Sequence, residues 1–212
     1  MNREQLQTAF GDERLRACAE QALGRLAEPV EAVERIERGN RKETAIARFA
    51  DRGPVVVQLC TEQTWLQSEA TLLTQIADRT TVPVPPVLAS GIHDGVAYML
   101  TDFVAGEDLH TQFTGLPDGT QRELARSFGS YLAQLHDQFS FESYGTLVIT
   151  GERLAAQRPD WGRWLQKYGR RVISRLPPAF EPIRTDCRRL YTRPPTDATP
   201  TARLFPWDFR PG

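Results

Sequence analysis

The chain has 212 residues, of which 40% are hydrophobic and 25% charged, close to the averages for soluble globular proteins. Its formal net charge of −1 argues against a nucleic-acid-binding face. No apolar run approaches the roughly eighteen residues of a membrane span, and the charged N-terminus lacks an apolar signal core. Three scattered cysteines without metal-like spacing are expected to be reduced thiols. The composition therefore predicts a cytoplasmic protein with no nucleic-acid or membrane partner.

The first half of the chain predicts one helix followed by about five strands. Apolar residues at helical spacing indicate a helix over residues 13–26. Alternating apolar positions then predict a hairpin whose loop covers residues 38–42. Residues 55–60 are apolar on both faces and predict a central strand, followed by a helix over residues 64–76. A second hairpin is predicted around residues 92–96, at an Asp-Gly pair.

The second half of the chain predicts helices. Residues 102–109 break the strand pattern and are expected to be a connector. Apolar positions between residues 124 and 135 predict one long helix, and those over residues 161–176 predict another. The expected class is therefore α+β. A strand-rich lobe of residues 1–101 would be joined by the connector to a lobe of helices only, residues 110–212.

Motif-like segments occur along this framework in a recognisable order. A Gly-Asn-Arg-Lys loop starts at Gly39, and Val-Ala-Gly-Glu-Asp-Leu starts at Val104. Pro206-Trp207-Asp208 lies near the end of the chain. With five strands and one helix after the third, the chain resembles the aminoglycoside phosphotransferase and choline kinase group over nearly its whole length. The resemblance implies a protein-kinase-like fold with two lobes.

The resemblance implies a nucleotide site in the strand-rich lobe. Gly39 and Asn40 would lie in the loop that covers the phosphates, with an ordinary hairpin turn as the alternative. Kinases carry a lysine on the third strand, where this chain has Gln58, a neutral amide. Lys42 can supply the missing charge from the neighbouring loop, or it is a solvated lysine. Glu69 would pair with Gln58 or Lys42, unless it is a solvated helix glutamate.

The resemblance also implies where the adenine and the reacting groups lie. Thr101, Asp102 and Val104 would meet the adenine edge. Asp208 would orient the attacking hydroxyl and accept its proton, although the histidine of the family's His-Gly-Asp pattern is missing. The cofactors would be ATP and Mg²⁺. The asparagine that binds magnesium would fall at position 213, beyond the last residue, so the metal ligands are expected outside the chain.

The sequence thus predicts ATP-dependent phosphoryl transfer to a hydroxyl of a small molecule by a full-length form. The acceptor would sit partly on the helices of residues 161–176. If the 212 residues are the entire protein, truncation within the catalytic loop predicts little or no phosphotransfer. A catalytically inactive kinase-like binding module or a truncated remnant is the alternative, and an unrelated α+β binding domain is a third. Antibiotic, choline-like, sugar and homoserine-like acceptors all stay open.

Overall fold

The computed structural model describes residues 3–36, 41–107, 109–151, 153–158, 160–192 and 201–205. The chain forms two compact units, Met1–Gln138 and Phe139–Leu204. The first unit holds a five-stranded antiparallel sheet with helices, so the predicted α+β class is confirmed. None of the helices within the described residues is long and apolar enough to cross a membrane.

The sheet of the first unit has the strand order β1-β2-β3-β5-β4, with every neighbouring pair antiparallel. Its strands are β1 (Val30–Ile36), β2 (Glu43–Phe49), β3 (Val55–Cys60), β4 (Val87–His93) and β5 (Val96–Asp102). Strand β3 lies in the middle of the sheet, as its apolar run predicts.

Helices cover both faces of this sheet. The helices of the first unit are α1 (Arg3–Ala9), α2 (Glu13–Gly24), α3 (Gln63–Arg79), the short α4 (Leu109–Gln112) and α5 (Asp118–Gln138). Alternate residues of β5 enter two different cores: Tyr98 packs with the residues of α1 and α2, whereas Met99 packs with those of α3. Because successive side chains of a strand point to opposite faces, α2 and α3 lie on opposite sides of the sheet.

The hairpin predicted between β4 and β5 is confirmed. Asp94 and Gly95 both have positive φ, 47° and 74°, which is the backbone that an Asp-Gly pair adopts in a two-residue turn. Two helices hold this turn: Arg14 Nη2 donates to Asp94 O at 2.7 Å, and Gln63 Nε2 donates to Gly95 O at 2.9 Å. The turn therefore ties α2 and α3 to the same end of the sheet.

The second unit corrects the expectation of helices alone after the connector. Its described residues form the helices α6 (Trp161–Ser174) and α7 (Glu181–Thr192) and four strands. The strands are β6 (Ser140–Phe141), β7 (Tyr144–Thr150), β8 (Arg153–Arg158) and β9 (Ala202–Arg203), in the two antiparallel pairs β6–β9 and β7–β8. The β7–β8 hairpin forms because Val148, Ile149 and Thr150 are β-branched and Gly151 turns with φ of 61°.

Candidate functional site

A cavity of about 390 Å³ opens in the first unit, on the α3 side of the sheet. Its walls come from β3, α3, β5 and the connector that follows β5. The apolar part of the lining includes Val56, Leu73 and Met99, and the polar part includes Gln58 and Glu69. A pocket of this size with mostly apolar walls and a few polar groups is typical of small-molecule and cofactor sites.

Three polar side chains meet at one end of this cavity. Lys42 Nζ lies 2.7 Å from Glu69 Oε1 and 3.3 Å from Gln58 Oε1. The ammonium group also lies 5.3 Å from the centre of the Trp65 ring, which is within range of a cation–π interaction. Lys42 and Glu69 are 20% and 31% exposed, so the ion pair is shielded from much of the solvent. Such a charge-assisted contact holds the lysine in one place.

The pairing of β2 with β3 explains why Lys42 arrives at this point. Thr44 of β2 stands opposite Gln58 of β3, so the two side chains share a face. Lys42 lies two residues before Thr44, and side chains two apart on an extended chain point the same way. That face is the one covered by α3, which carries Glu69. The loop lysine is therefore directed to the place where the β3 side chain ends.

The other end of the cavity is formed by the end of β5 and the start of the connector. Thr101 is buried, and the amides of Asp102 and Phe103 donate to Pro86 O at 3.1 Å and Pro54 O at 3.0 Å. Within the residues that the structure describes, the amide of the next residue, Val104, donates to no protein acceptor. This end of the cavity thus presents an unused backbone donor.

Asp102 does not direct its charge freely into the cavity. Arg52 Nη2 lies 3.5 Å from Asp102 Oδ1, and Arg52 Nη1 lies 3.5 Å from Glu28 Oε1. The Arg52 guanidinium also lies over the Phe49 ring at 5.5 Å. One arginine is therefore shared by two carboxylates beside the connector, so that the charge of Asp102 is only partly offset.

The arrangement suits a ligand with a flat heterocycle at one end and an anionic group at the other. Apolar walls and the Val104 amide can hold an aromatic ring edge-on, while Lys42 can attract phosphate oxygens. No cluster of three or more His, Cys, Asp or Glu side chains in the described part of the chain is arranged to hold a metal ion. Binding of Mg²⁺ to this chain therefore stays a prediction from the resemblance.

The structure brings most of the predicted site residues together. Gln58, Glu69, Thr101, Asp102 and Val104 all line the cavity, and the Lys42 ammonium contacts two of them. Their roles in nucleotide binding stay predictions.

Three predicted site residues, Gly39, Asn40 and Asp208, lie outside the described residues. Sequence reasoning did not identify Trp65 as the ring beneath Lys42, nor Arg52 as the partner of Asp102. Only the aromatic residue near the start of a helix and the arginine in a turn before β3 offered a signal, and both residue types are common at such positions.

The sequence and the fold were compared with known proteins. Residues 32–189 match the sequence profile of the phosphotransferase enzyme family, APH. No curated protein sequence matches significantly. A fructosamine-3-kinase homologue from Thermobifida fusca YX-ER1, whose assignment is provisional, has a TM-score of 0.51 and 20% identity, covering 89% of this chain and 64% of its own.

Two further solved structures show the same fold. A provisionally assigned aminoglycoside phosphotransferase from Ralstonia eutropha JMP134 has a TM-score of 0.50 and 17% identity, covering 84% of this chain and 52% of its own. A thermostable mutant of aminoglycoside phosphotransferase APH(4)-Ia, in ternary complex with ADP and hygromycin B, has a TM-score of 0.50 and 12% identity, covering 75% and 50%.

This chain spans about half the length of the first solved structures that it matches, from 46% to 52%. At these identities the structural likeness shows the fold, and the profile match, which extends over most of the chain, shows the family. The chain belongs to the phosphotransferase enzyme family, and its fold is that of kinase-like phosphotransferases.

Proposed function

We propose that the protein transfers the γ-phosphoryl group of ATP to a hydroxyl of a small molecule. ATP would bind in the cavity of the first unit, with the adenine beside Val104 and the phosphates towards Lys42. Family membership supports the reaction class, and a related structure that holds ADP supports the choice of nucleotide. Residues 102–109 would serve as the hinge between the lobes of residues 1–101 and 110–212.

The observation that carries this proposal is the ion pair of Lys42 with Glu69, in contact with Gln58. Phosphate binding needs a positive charge at this point, and the amide of Gln58 supplies none. Lys42 places an ammonium group within 3.3 Å of the Gln58 side chain, although it comes from the residue before β2. Glu69 would hold that ammonium in position, as the helix glutamate does in kinases.

The residues that line the cavity support the proposed position of the adenine. Val56 and Met99 lie on neighbouring strands and provide apolar surface, and the Val104 amide provides a donor. A flat heterocycle that packs between apolar side chains and accepts one backbone hydrogen bond is well oriented, because the hydrogen bond fixes its edge. Thr101, buried at the back of the cavity, would limit how deep the ring can enter.

The proposed reaction balances without further reactants. The acceptor oxygen forms a bond to the γ-phosphorus, the bond from that phosphorus to the β–γ bridging oxygen breaks, and ADP leaves. Asp208 is the proposed base that accepts the hydroxyl proton. Bound Mg²⁺ would supply charge stabilisation at the phosphates. A small-molecule acceptor is proposed because a related phosphotransferase structure holds hygromycin B. A cytoplasmic location stays a prediction from composition.

The proposal is tested first by nucleotide binding with a matched pair of variants. Val104→Pro removes the backbone donor, whereas Val104→Ala keeps the donor and shortens a side chain that is 69% exposed. Calorimetric titration with ATP should show weaker binding by Val104→Pro and nearly unchanged binding by Val104→Ala. Equal affinities of the two variants for ATP would refute the proposal that the connector contacts the nucleotide.

The second step is the reaction itself. The protein is incubated with ATP labelled on the γ-phosphate and a set of hydroxyl compounds, and phosphate esters are detected by mass spectrometry. Formation of an ester together with ADP would support phosphotransfer. Binding of ATP without any ester would instead support a nucleotide-binding module, which the neutral Gln58 favours. Failure to bind ATP at all would refute both functions.

A further inference from the structure

Four aromatic side chains form a continuous row in the second unit. The ring centres of Tyr144 and Trp161 are 5.5 Å apart, those of Trp161 and Trp164 5.0 Å, and those of Trp164 and Tyr168 5.3 Å. Three of these rings belong to α6, at intervals of three and four residues that place them on one side of the helix. We call these four residues the aromatic row.

The rings of the aromatic row are stacked but not eclipsed. The last two pairs are nearly parallel, with interplanar angles of 26° and 13°. Parallel rings in direct register would be roughly 3.5 Å apart, so centre distances of 5.0 and 5.3 Å mean that each ring is displaced sideways from the next. All four residues are only half-buried. The row is thus an ordered apolar surface that remains accessible within the second unit.

Another side of α6 packs on α7. Gly162, Gly169 and Ile173 are its buried residues, and a Cβ added at Gly169 would overlap the Tyr191 ring of α7. The face that carries the glycines is therefore the most buried side of the helix. The aromatic row lies on a different face of the helix, where Trp161 contacts Tyr144 of β7 and its other rings stay partly exposed.

Positive charge borders the aromatic row. Lys167 and Arg171 are exposed and follow Trp164 and Tyr168 by three residues, which makes them neighbours of those rings on the helix surface. Within the described residues, neither cation has an acidic partner, whereas three acids of the same unit pair with arginines. Its ion pairs are Asp160–Arg163, Glu181–Arg184 and Asp186–Arg189.

The two compact units also differ in charge. Residues 139–204 contain twelve Lys and Arg against six Asp and Glu, whereas the rest of the chain contains fourteen against twenty-one. A net charge of −1 for the whole chain hides this separation. A unit with twice as many cations as acids attracts anionic ligands and repels polyamines.

We infer that the aromatic row binds the hydroxyl acceptor and that this acceptor is an anionic sugar, a sugar acid or a sugar phosphate. This inference rests on the proposed phosphotransfer, which requires a hydroxyl compound. Aromatic faces pack against the C–H face of a sugar ring, and Lys167 and Arg171 attract a carboxylate or phosphate carried by that ring. Amino sugars, which are cations at neutral pH, are disfavoured by the same charges.

A series of sugars with one ring and different charges tests the inference. Glucuronate carries one negative charge, glucose is neutral, and glucosamine carries one positive charge. Glucose 6-phosphate is added to tell whether the site prefers a phosphate or a carboxylate. In calorimetric titrations at low salt, at least one of the two anions should bind about tenfold more tightly than glucosamine, with glucose between them. The difference should shrink at roughly 1 M salt, where screening is strong.

Variants of the aromatic row and of the two cations beside it distinguish the contribution of ring stacking to sugar binding from the contribution of charge. Trp164→Leu should weaken binding of all the sugars by a similar factor, on the order of fivefold. The double variant Lys167→Glu, Arg171→Glu changes only exposed side chains and should invert the order, so that glucosamine binds better than glucuronate. Arg126→Glu, an exposed charge reversal on α5 of the first unit, is the control and should leave the order unchanged.

The outcomes distinguish this inference from the proposed function. The protein could prefer anionic sugars, lose that preference in the double variant Lys167→Glu, Arg171→Glu, and yet fail to bind ATP. That result would support the anionic-sugar site and refute phosphotransfer. Normal ATP binding with glucosamine preferred, or with no sugar bound, would overturn the inference and leave the nucleotide site standing. An equal effect of Arg126→Glu would also overturn it, because the preference would then reflect total charge rather than this surface.

Discussion

Moving the lysine charge from the residue before β2 onto β3 is expected to preserve nucleotide binding. Lys42 Nζ lies 3.3 Å from Gln58 Oε1, so a lysine at position 58 reaches the same region and can pair with Glu69. Lys42→Met alone would remove the proposed charge-assisted contact with phosphate, made by a side chain that is only 20% exposed. Such contacts contribute about 2 kcal/mol, which corresponds to roughly a thirtyfold loss of ATP affinity.

The double variant Lys42→Met, Gln58→Lys should recover affinity to within about threefold of the unmodified protein, because one cation again faces Glu69. The assay is calorimetric titration with a non-hydrolysable ATP analogue. Arg48→Met, which removes an exposed cation from β2, is the control and should leave affinity unchanged. Unchanged binding by Lys42→Met, or a double variant no better than the single one, would refute the role assigned to this cluster.

Three further predictions concern stability, measured as the free energy of unfolding in urea. A Cβ at Gly91 would lie 2.6 Å from the buried Tyr98 hydroxyl, so Gly91→Ala should lower the free energy of unfolding by about 2 kcal/mol. Tyr98→Phe removes a buried hydroxyl that has no partner in the described residues, so it should raise the free energy of unfolding by about 1 kcal/mol. Asp12 caps α2 by accepting two backbone amides at 2.8 and 3.2 Å, and Asp12→Ala should cost about 1 kcal/mol, or else the cap is not stabilising. Burial raises the pKa of the Cys18 thiol from 9.0 to about 11. The stability that the protonated thiol contributes is therefore complete below pH 9 and is lost as the pH rises towards 11. Cys18→Ala should make the free energy of unfolding fall less steeply over that pH range.

The strand-rich unit was predictable because each strand carried its own signal. The Asp-Gly pair at positions 94 and 95 marked one hairpin, and the unbroken apolar run of 55–60 marked the central strand. Helix α1 gave no such signal, because it is only seven residues long and its burial depends on the packing of Leu6 and Ala9 into the core of the first unit. Tertiary packing, and not local periodicity, selects a helix of that length.

The second unit was predicted less well for two different reasons. The β7–β8 hairpin had a readable signal, the β-branched residues up to Thr150 followed by Gly151, which the expectation of a helical lobe overrode. Helix α7 follows Pro177 and Pro178 and exposes Ile183 and Leu190, so its apolar positions do not indicate a buried face. Its packing against α6 depends on the close approach that Gly169 allows.

The candidate site shows where pattern reasoning ends. Residue types along the chain indicate that Lys42 or Gln58 can pair with Glu69, but they do not choose between them. The choice depends on the register of β2 against β3, in which Thr44 faces Gln58, and on the position of α3 over that face. The availability of the Val104 amide is likewise set by distant partners, since Pro54 and Pro86 occupy the two amides before it.

Chemical labelling of the two lysines tests the central claim most directly. Lys42 and Lys167 are the only lysines in the sequence, and they lie in different compact units. The protein is treated with a limiting amount of an acetylating reagent, with and without ATP, and each site is quantified by mass spectrometry. If ATP binds beside the Lys42–Glu69 pair, acetylation of Lys42 should slow as ATP is raised, while acetylation of Lys167 stays constant. An unchanged rate at Lys42 with bound ATP, or equal protection of both lysines, would contradict the account.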